Sequence, residues 1–397
     1  MPLVAIVSKL YPRTHYTIYL GKALEELRDS KFSLTFYRSR SEEVSADIRH
    51  AKSVWSQNIL YPFQILRQSI KDRPRIVHIQ HEFSMFGGPI TAGVFPLLLL
   101  LLKLARTRTI VTVHAIVPPS IADTEFAKTF GVTERLWLLL RCAIVLIHRT
   151  TVVLSSALIV HAEAHRLLLE KAFSANPSKI KVVPIGVPET SWPETASGKW
   201  IGILREKRVI LFFGYLTGRK GVEFLLRAFA DLVETHSNWV LVVAGGKLKY
   251  SDPYVQSLKR LIVDLRIQES VVFLTTTPFP IGELHELFEL TNFVVLPYTL
   301  PIGGGSLVLS YAMQHGKPVI ATDSDVMREL IGHGEVGFLC QPKDVASLKS
   351  AMGIMMDDSS LRERFSAAMH DKAARLAWSH SATMTHDIYL EQLDFIT

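Results

Sequence analysis

The chain has 397 residues, 44 Lys+Arg against 37 Asp+Glu, 48% hydrophobic residues and two cysteines. That is more chain than one ordinary core needs, so two domains are expected. The cysteines, Cys142 and Cys340, are far apart; they exclude a disulfide framework and a Cys/His metal cluster, no metal site is expected, and a reducing compartment is the expected setting.

The chain opens MPLVAIVSKL, without the basic start and small-residue cleavage site of a signal peptide. Residues 4–8 read instead as the first strand of a parallel sheet. Further strands are predicted in the first half at 34–37, 76–80, 109–114, 157–161 and 180–184, with helices between, for example at 18–27 and 162–172. In the second half the predicted strands are 209–213, 239–244, 271–274, 293–296, 318–321 and 337–340. Continuous apolar strands separated by helices imply parallel sheets covered on both faces. The expected organisation is a first α/β domain over 1–190, a linker over 191–202, a second α/β domain over 203–377, and a terminal helical segment, 378–397, crossing back to the first domain. Ligands of doubly wound domains bind at the C-terminal ends of the strands, so two facing sheets predict a cleft with one substrate on each side.

Charge is uneven. Residues 1–190 carry 24 Lys+Arg against 14 Asp+Glu, and the remainder 20 against 23. The basic half also holds the apolar segments 95–102 (FPLLLLLL) and 136–147 (LWLLLRCAIVLI). Neither reaches the ~20 uncharged apolar residues of a spanning helix. One reading makes them buried helices of the α/β domain. The other makes this half a basic, partly apolar face resting on an anionic membrane surface. Nucleic acid is not an expected partner, because no basic run is interleaved with aromatics.

Two stretches carry the chemistry. Gly303-Gly304-Gly305-Ser306 sits between two predicted strands and opens a helical pattern beginning at Leu307. Glycines let backbone approach a ligand closely, and a helix N-terminus favours an anion such as a diphosphate. The second stretch runs from the strand at 209–213 through Gly214 to Arg219, Lys220 and Gly221 and into a helix. Two cations at a helix start are unfavourable unless an anion sits beside them.

The chain resembles the GT-B glycosyltransferases, and within them the large family 4 of retaining enzymes. The motifs are FFGYLTGRKGVEFLLRAF, VLVVAGG, VVFLTTTPFPIGELHELFELTNFVVLPY and AMQHGKPVIATD in the second half. IVHIQHEFSMFGG, TIVTVHA and KIKVVPIGV in the first half resemble a subgroup with a QHEF-type motif. The resemblance covers nearly the whole chain. It implies two Rossmann-like domains, a UDP-sugar or GDP-sugar donor on the C-terminal one, a glycan or lipid-linked acceptor on the N-terminal one, and no cofactor.

By matching position, Lys220 would contact the donor diphosphate, with Arg219 adding charge. Gly214, Gly221, Gly245, Gly304, Gly305, Ser306 and Leu307 would form the donor loops. His114 would lie near the donor sugar. Glu82, just after a strand, is the best-placed acid for a general base, and His15, His78 and His81 are candidates for acceptor contacts.

The sequence also departs from the family pattern. Two glutamates eight residues apart fall here on Gly303 and Tyr311, and the glycine-rich acceptor loop is replaced by Tyr11-Pro12-Arg13-Thr14-His15-Tyr16. The resemblance implies a hexosyltransferase of glycan biosynthesis, cytoplasmic or peripheral on the inner face of the membrane. A non-catalytic scaffold and a glycoside phosphorylase are the rival readings.

Overall fold

The computed structural model describes the chain apart from residues 11–15, 28–30, 43–47, 130, 189–197, 248–250, 277–278, 301–305 and 395–397. The chain divides into two compact units: Met1–Gly186 with Trp378–Thr397, and Val187–Pro301 with Ser306–Ala377.

The first unit is built on a parallel sheet of β1 (Leu3–Val7), β2 (Ser33–Ser39), β3 (Ala51–Trp55), β4 (Ile76–His81), β5 (Arg108–Val113), β6 (Ala157–Val160) and β7 (Ile180–Val182), in the order β3-β2-β1-β4-β5-β6-β7. Its helices are α1 (Tyr16–Glu26), α2 (Tyr61–Asp72), α3 (Pro89–Gly93), α4 (Phe95–Leu104), α5 (Thr124–Thr129), α6 (Trp137–Leu154) and α7 (Glu163–Phe173). Apolar strand residues such as Val77, Ile79, Val111 and Leu158 are buried against Ile65, Leu98, Leu102, Ile147 and Leu169 of the helices. Burial on both faces is what a parallel sheet requires.

The second unit holds β8 (Arg208–Phe213), β9 (Trp239–Gly245), β10 (Val271–Thr275), β11 (Thr291–Leu296), β12 (Val319–Thr322) and β13 (Gly337–Cys340), all parallel, in the order β10-β9-β8-β11-β12-β13. Around them run α8 (Lys199–Leu204), α9 (Val222–Val233), α10 (Asp252–Asp264), α11 (Ile281–Leu290), α12 (Leu307–Gln314), α13 (Asp325–Ile331), α14 (Val345–Asp357) and α15 (Ser359–Arg375). Side-chain oxygens of Ser306, Ser324, Asp344 and Asp358 accept from backbone N–H groups at the starts of α12 to α15. Each satisfies a donor that the helix itself leaves open. The last helix, α16 (Trp378–Asp394), packs on α1 in the first unit, where Trp378 stacks on Tyr19 at 5.6 Å.

Three features differ from the sequence reading. β3 is an edge strand with exposed Lys52 and Ser53, so its apolar run is too short to be legible. α8 occupies the C-terminal end of the expected linker, because its N–H groups at Trp200 and Ile201 find a buried acceptor in Glu286 Oε1 at 2.7 and 2.8 Å. The long apolar segment around 136–147 is not a buried helix: only 28% of the most apolar window of Glu134–Leu154 lies inside the protein.

Candidate functional site

In the second unit the chain winds from β8 outward to β9 and β10, then returns to place β11 on the other side of β8. Loops after β8 and β11 therefore diverge at a topological switch point, where open α/β sheets bind ligands. Here the two loops are tied together. The Thr299 backbone N–H donates to Arg219 O at 3.0 Å, and Thr299 Oγ1 donates to Gly218 O at 3.3 Å. Gly221 sits at φ +64°, and a Cβ there would lie 2.0 Å from Pro297 O. Only glycine allows that backbone approach. Gly245 closes the other flank, where a Cβ would lie 1.8 Å from Gly214 O.

Lys220 is the centre of this cluster. Its Nζ lies 3.6 Å from the centroid of the Tyr298 ring. The Tyr298 hydroxyl is 3.4 Å from Ser306 Oγ, which also accepts from the N–H of Leu309 as the N-cap of α12. Burial would push the Tyr298 phenol up. The charges of Lys220 and Arg219, with hydrogen bonds from Ser306 and Lys220, outweigh it and hold the phenol below its usual value. One lysine, one arginine and the open N–H groups of a helix start thus converge at the strand ends. This is fixed positive potential, the requirement for binding a diphosphate and stabilising it as a leaving group.

In the first unit a chain of buried polar groups crosses β4, β5 and β6. Tyr389 OH of α16 is 2.6 Å from His78 Nδ1, and His78 Nε2 is 2.7 Å from Thr112 Oγ1. Gln80 links His78 (3.2 Å) to His114, whose Nε2 lies 2.8 Å from Gln80 Oε1. His114 Nδ1 is 3.0 Å from His161 Nε2, and His161 Nδ1 is 2.9 Å from Val183 O. A carbonyl only accepts, so His161 Nδ1 carries a proton. Burial, offset only in part by that hydrogen bond, lowers His161 to about 4, so at neutral pH its Nε2 accepts from His114 Nδ1–H.

The structure places the expected residues unevenly. Lys220, Arg219, Gly214, Gly221, Gly245, Ser306 and Leu307 come together around the switch point of the second unit. Gly304, Gly305 and His15 lie outside the described residues. Glu82 is exposed at the end of β4, across the first unit's own switch point from Lys9 at the end of β1. Lys9 Nζ donates to Ser84 O at 3.2 Å; burial pulls the ammonium below its usual value, against the Glu42 and Glu82 charges. Two acceptor candidates are corrected. His78 is fully buried with both ring nitrogens engaged, so it braces the network and cannot reach an acceptor. His81 is buried with its ring 4.1 Å from that of Phe95; burial, with the His148 charge, pushes it down to about 3, the state of a neutral core histidine.

Gln80, His161, Tyr298 and Tyr389 were not singled out from the sequence. Gln80 and His161 sit at strand ends, a position that could have flagged them. Tyr298 is brought to Lys220 only by β11 lying beside β8, and Tyr389 reaches His78 from a helix 311 residues away in the chain. At the position of the second family glutamate, Tyr311 is buried, its ring 5.8 Å from that of Phe288 and 6.0 Å from that of His285.

Two parallel sheets of seven and six strands flanked by helices define a GT-B protein. The fold matches Anabaena Alr3699/HepE in complex with UDP and glucose (TM-score 0.72, 16% identity, covering 98% of this chain and 100% of that one). It also matches the sucrose-phosphate synthase (tll1590) from Thermosynechococcus elongatus (TM-score 0.76, 15% identity, 100% of both chains). Within that class, residues 199–371 match the model of the family described as glycosyl transferases group 1. A D-inositol 3-phosphate glycosyltransferase of Corynebacterium jeikeium (strain K411) is 30% identical over 243 residues, 59% of this chain and 57% of that protein. An uncharacterized glycosyltransferase of Methanocaldococcus jannaschii is 28% identical over 227 residues, 55% of each. The chain thus matches little more than half the length of these relatives.

Proposed function

We propose that this protein is a retaining glycosyltransferase of the family 4 type, which moves a hexose from a UDP-sugar or GDP-sugar to a lipid-linked, glycolipid or polysaccharide acceptor. The observation that carries the reading is Lys220 held at the switch point beside Arg219 and the N-terminus of α12. Departure of a nucleoside diphosphate puts negative charge there, and fixed cations and backbone N–H groups stabilise it without a metal ion. UDP is the first donor nucleotide to test, because HepE was crystallised with UDP and with UDP-glucose.

The transfer is a same-face exchange. The bond from the anomeric carbon to the β-phosphate oxygen breaks as the acceptor oxygen bonds to that carbon from the same side. The acceptor proton passes to the departing phosphate oxygen, which becomes part of the released diphosphate. Configuration is retained and no dedicated carboxylate is needed, consistent with a buried Tyr311 at the position of a family glutamate. His114, held by Gln80 and His161, is assigned to the donor sugar, and Glu82 and Lys9 to the acceptor side. The enzyme works in the cytoplasm, at the inner face of the membrane.

Thermal melting with UDP, GDP and ADP tests the donor site. A ligand at 100 times its Kd adds about 2.7 kcal/mol, enough to raise the melting temperature by several degrees. One nucleotide giving a shift that Lys220→Ala abolishes supports the assignment. No shift with any nucleotide overturns it and favours a non-catalytic scaffold.

A further inference from the structure

We propose that the outer face of α2, α4 and α6 docks on an anionic bilayer, and that an arginine-lined cleft at its end takes lipid phosphate. α2 packs on α4 and α4 on α6, so their outer sides form one surface. The outer side of a surface helix is ordinarily polar. Here it presents Phe63 and Ile70 on α2, Leu100 and Leu104 on α4, and Leu139, Leu146 and Val153 on α6, with Ile70, Leu104 and Leu139 each more than 60% exposed. On α6 the exposed positions 139, 142, 146, 149 and 153 recur at helical spacing as one stripe. The opposite stripe, Ile144, Ile147, His148, Thr151 and Val152, is buried, and His148 Nδ1 is bonded to Ile144 O at 2.9 Å. That fixed inner side holds α6 against its own domain, so the helix lies along a membrane rather than crossing it.

Charge selects the partner. Residues 89–122 and 135–154 contain no Asp or Glu. α2 has Asp72 alone, already accepting from Tyr37, Lys52 and Gln68. Exposed Arg67, Lys71, Lys103 and Arg149 stand among the apolar side chains. Apolar residues interspersed with cations and free of acids suit an anionic lipid interface. A second copy of this chain would meet the face with charge of the same sign.

The cleft lies where α2 and α4 end and β4 and β5 begin. It has a volume of about 750 Å³, and its lining includes Arg73, Arg75, Arg106, Arg108 and Ile70, the last shared with the apolar face. Arg108 donates to Gln392 Oε1 at 3.4 Å. Among the described residues, Arg73, Arg75 and Arg106 form no ion pair. A helix C-terminus favours one nearby cation. Four guanidinium groups around one cleft exceed that need and match the multiple oxygens of a phosphate.

The surface stands independently of the catalytic reading, except that a membrane-borne acceptor gives it a purpose. The test is flotation of the full chain with vesicles of phosphatidylcholine alone and of phosphatidylcholine with phosphatidylglycerol. Melting with UDP, run on the same preparations, reports the fold and the donor site. The protein is expected to float with the anionic vesicles only and to be released by salt. Arg73→Ala with Arg106→Ala is expected to weaken partitioning roughly thirtyfold. Leu139→Glu with Leu146→Glu is expected to abolish it, with the UDP shift retained in both variants. A wild type that stays with the soluble fraction overturns the proposal, as do variants that float like the wild type. So does a dimer in solution that Leu139→Glu with Leu146→Glu splits without changing flotation. Flotation as expected without a melting shift from UDP, GDP or ADP supports the docking surface and overturns the donor site instead.

Discussion

His161 Nε2 lies 3.0 Å from His114 Nδ1, and the two rings come from adjacent parallel strands whose residues are 47 apart in the chain. Because Val183 O occupies the other His161 nitrogen, the pair has one direction of donation, and His114 is held in ring orientation between His161 and Gln80. His161→Ala is expected to lower turnover roughly 10–100-fold through misplacement of His114, and to change the pH profile of kcat. Steady-state kinetics across pH checks this. A unchanged profile with only a lower melting temperature would leave His161 a purely structural residue.

Lys220→Ala removes the ammonium that faces Tyr298, and turnover is expected to fall ~10²–10³-fold, the cost of losing one preorganised donor to a developing anion. Tyr298→Phe keeps the ring beneath Lys220 and removes only the hydroxyl, so its effect is expected to be on the order of tenfold or less. Measured kcat values decide the matter. A loss below threefold for Lys220→Ala would remove it from the assignment.

Gly221→Ala introduces a Cβ at φ +64° that meets Pro297 O at 2.0 Å. The loops after β8 and β11 would have to separate, and a loss of about 2 kcal/mol or more in unfolding free energy is expected. Urea denaturation measures it. Gly218→Ala, where a Cβ meets nothing within 4 Å, is the comparison and is expected to be close to neutral.

Stability is expected to fall as pH drops from about 6.5 to 4. Burial lowers His78, His81 and His165 to about 3 and His148 and His161 to about 4. Below pH 6.5 the unfolded chain takes up these protons while the folded chain does not, so the unfolding free energy rises with pH across that window and levels above it. Melting temperatures from pH 4 to 8 would show it. A flat profile between pH 4.5 and 6.5 would mean that these histidines are not held neutral.

Tyr389→Phe leaves His78 Nδ1 without its 2.6 Å partner in a fully buried site. A loss of about 1–3 kcal/mol is expected. It should exceed the loss from Thr383→Ala at the exposed surface of the same helix, and chemical denaturation of both variants checks this.

The sequence by itself determined the class of fold. Strand-length apolar runs alternating with helical patterns leave little but parallel sheets covered on both sides, and the ends of β8 and β9 were marked by Gly214, Gly245 and the cations at Arg219 and Lys220. What it could not determine is which strand lies beside which, since apolar periodicity reports burial and not neighbours. The order β9-β8-β11 is what sets Tyr298 and Ser306 against Lys220. The order β4-β5-β6 is what converts separate strand-end residues, Gln80, His114 and His161, into one hydrogen-bonded chain. The same limit explains the two corrected histidines, because His78 and His81 read as available strand-end groups until α16 and α4 cover them. It also explains α6, whose composition resembles a buried helix and whose outward stripe, Leu139, Leu146 and Val153, is exposed among the described residues.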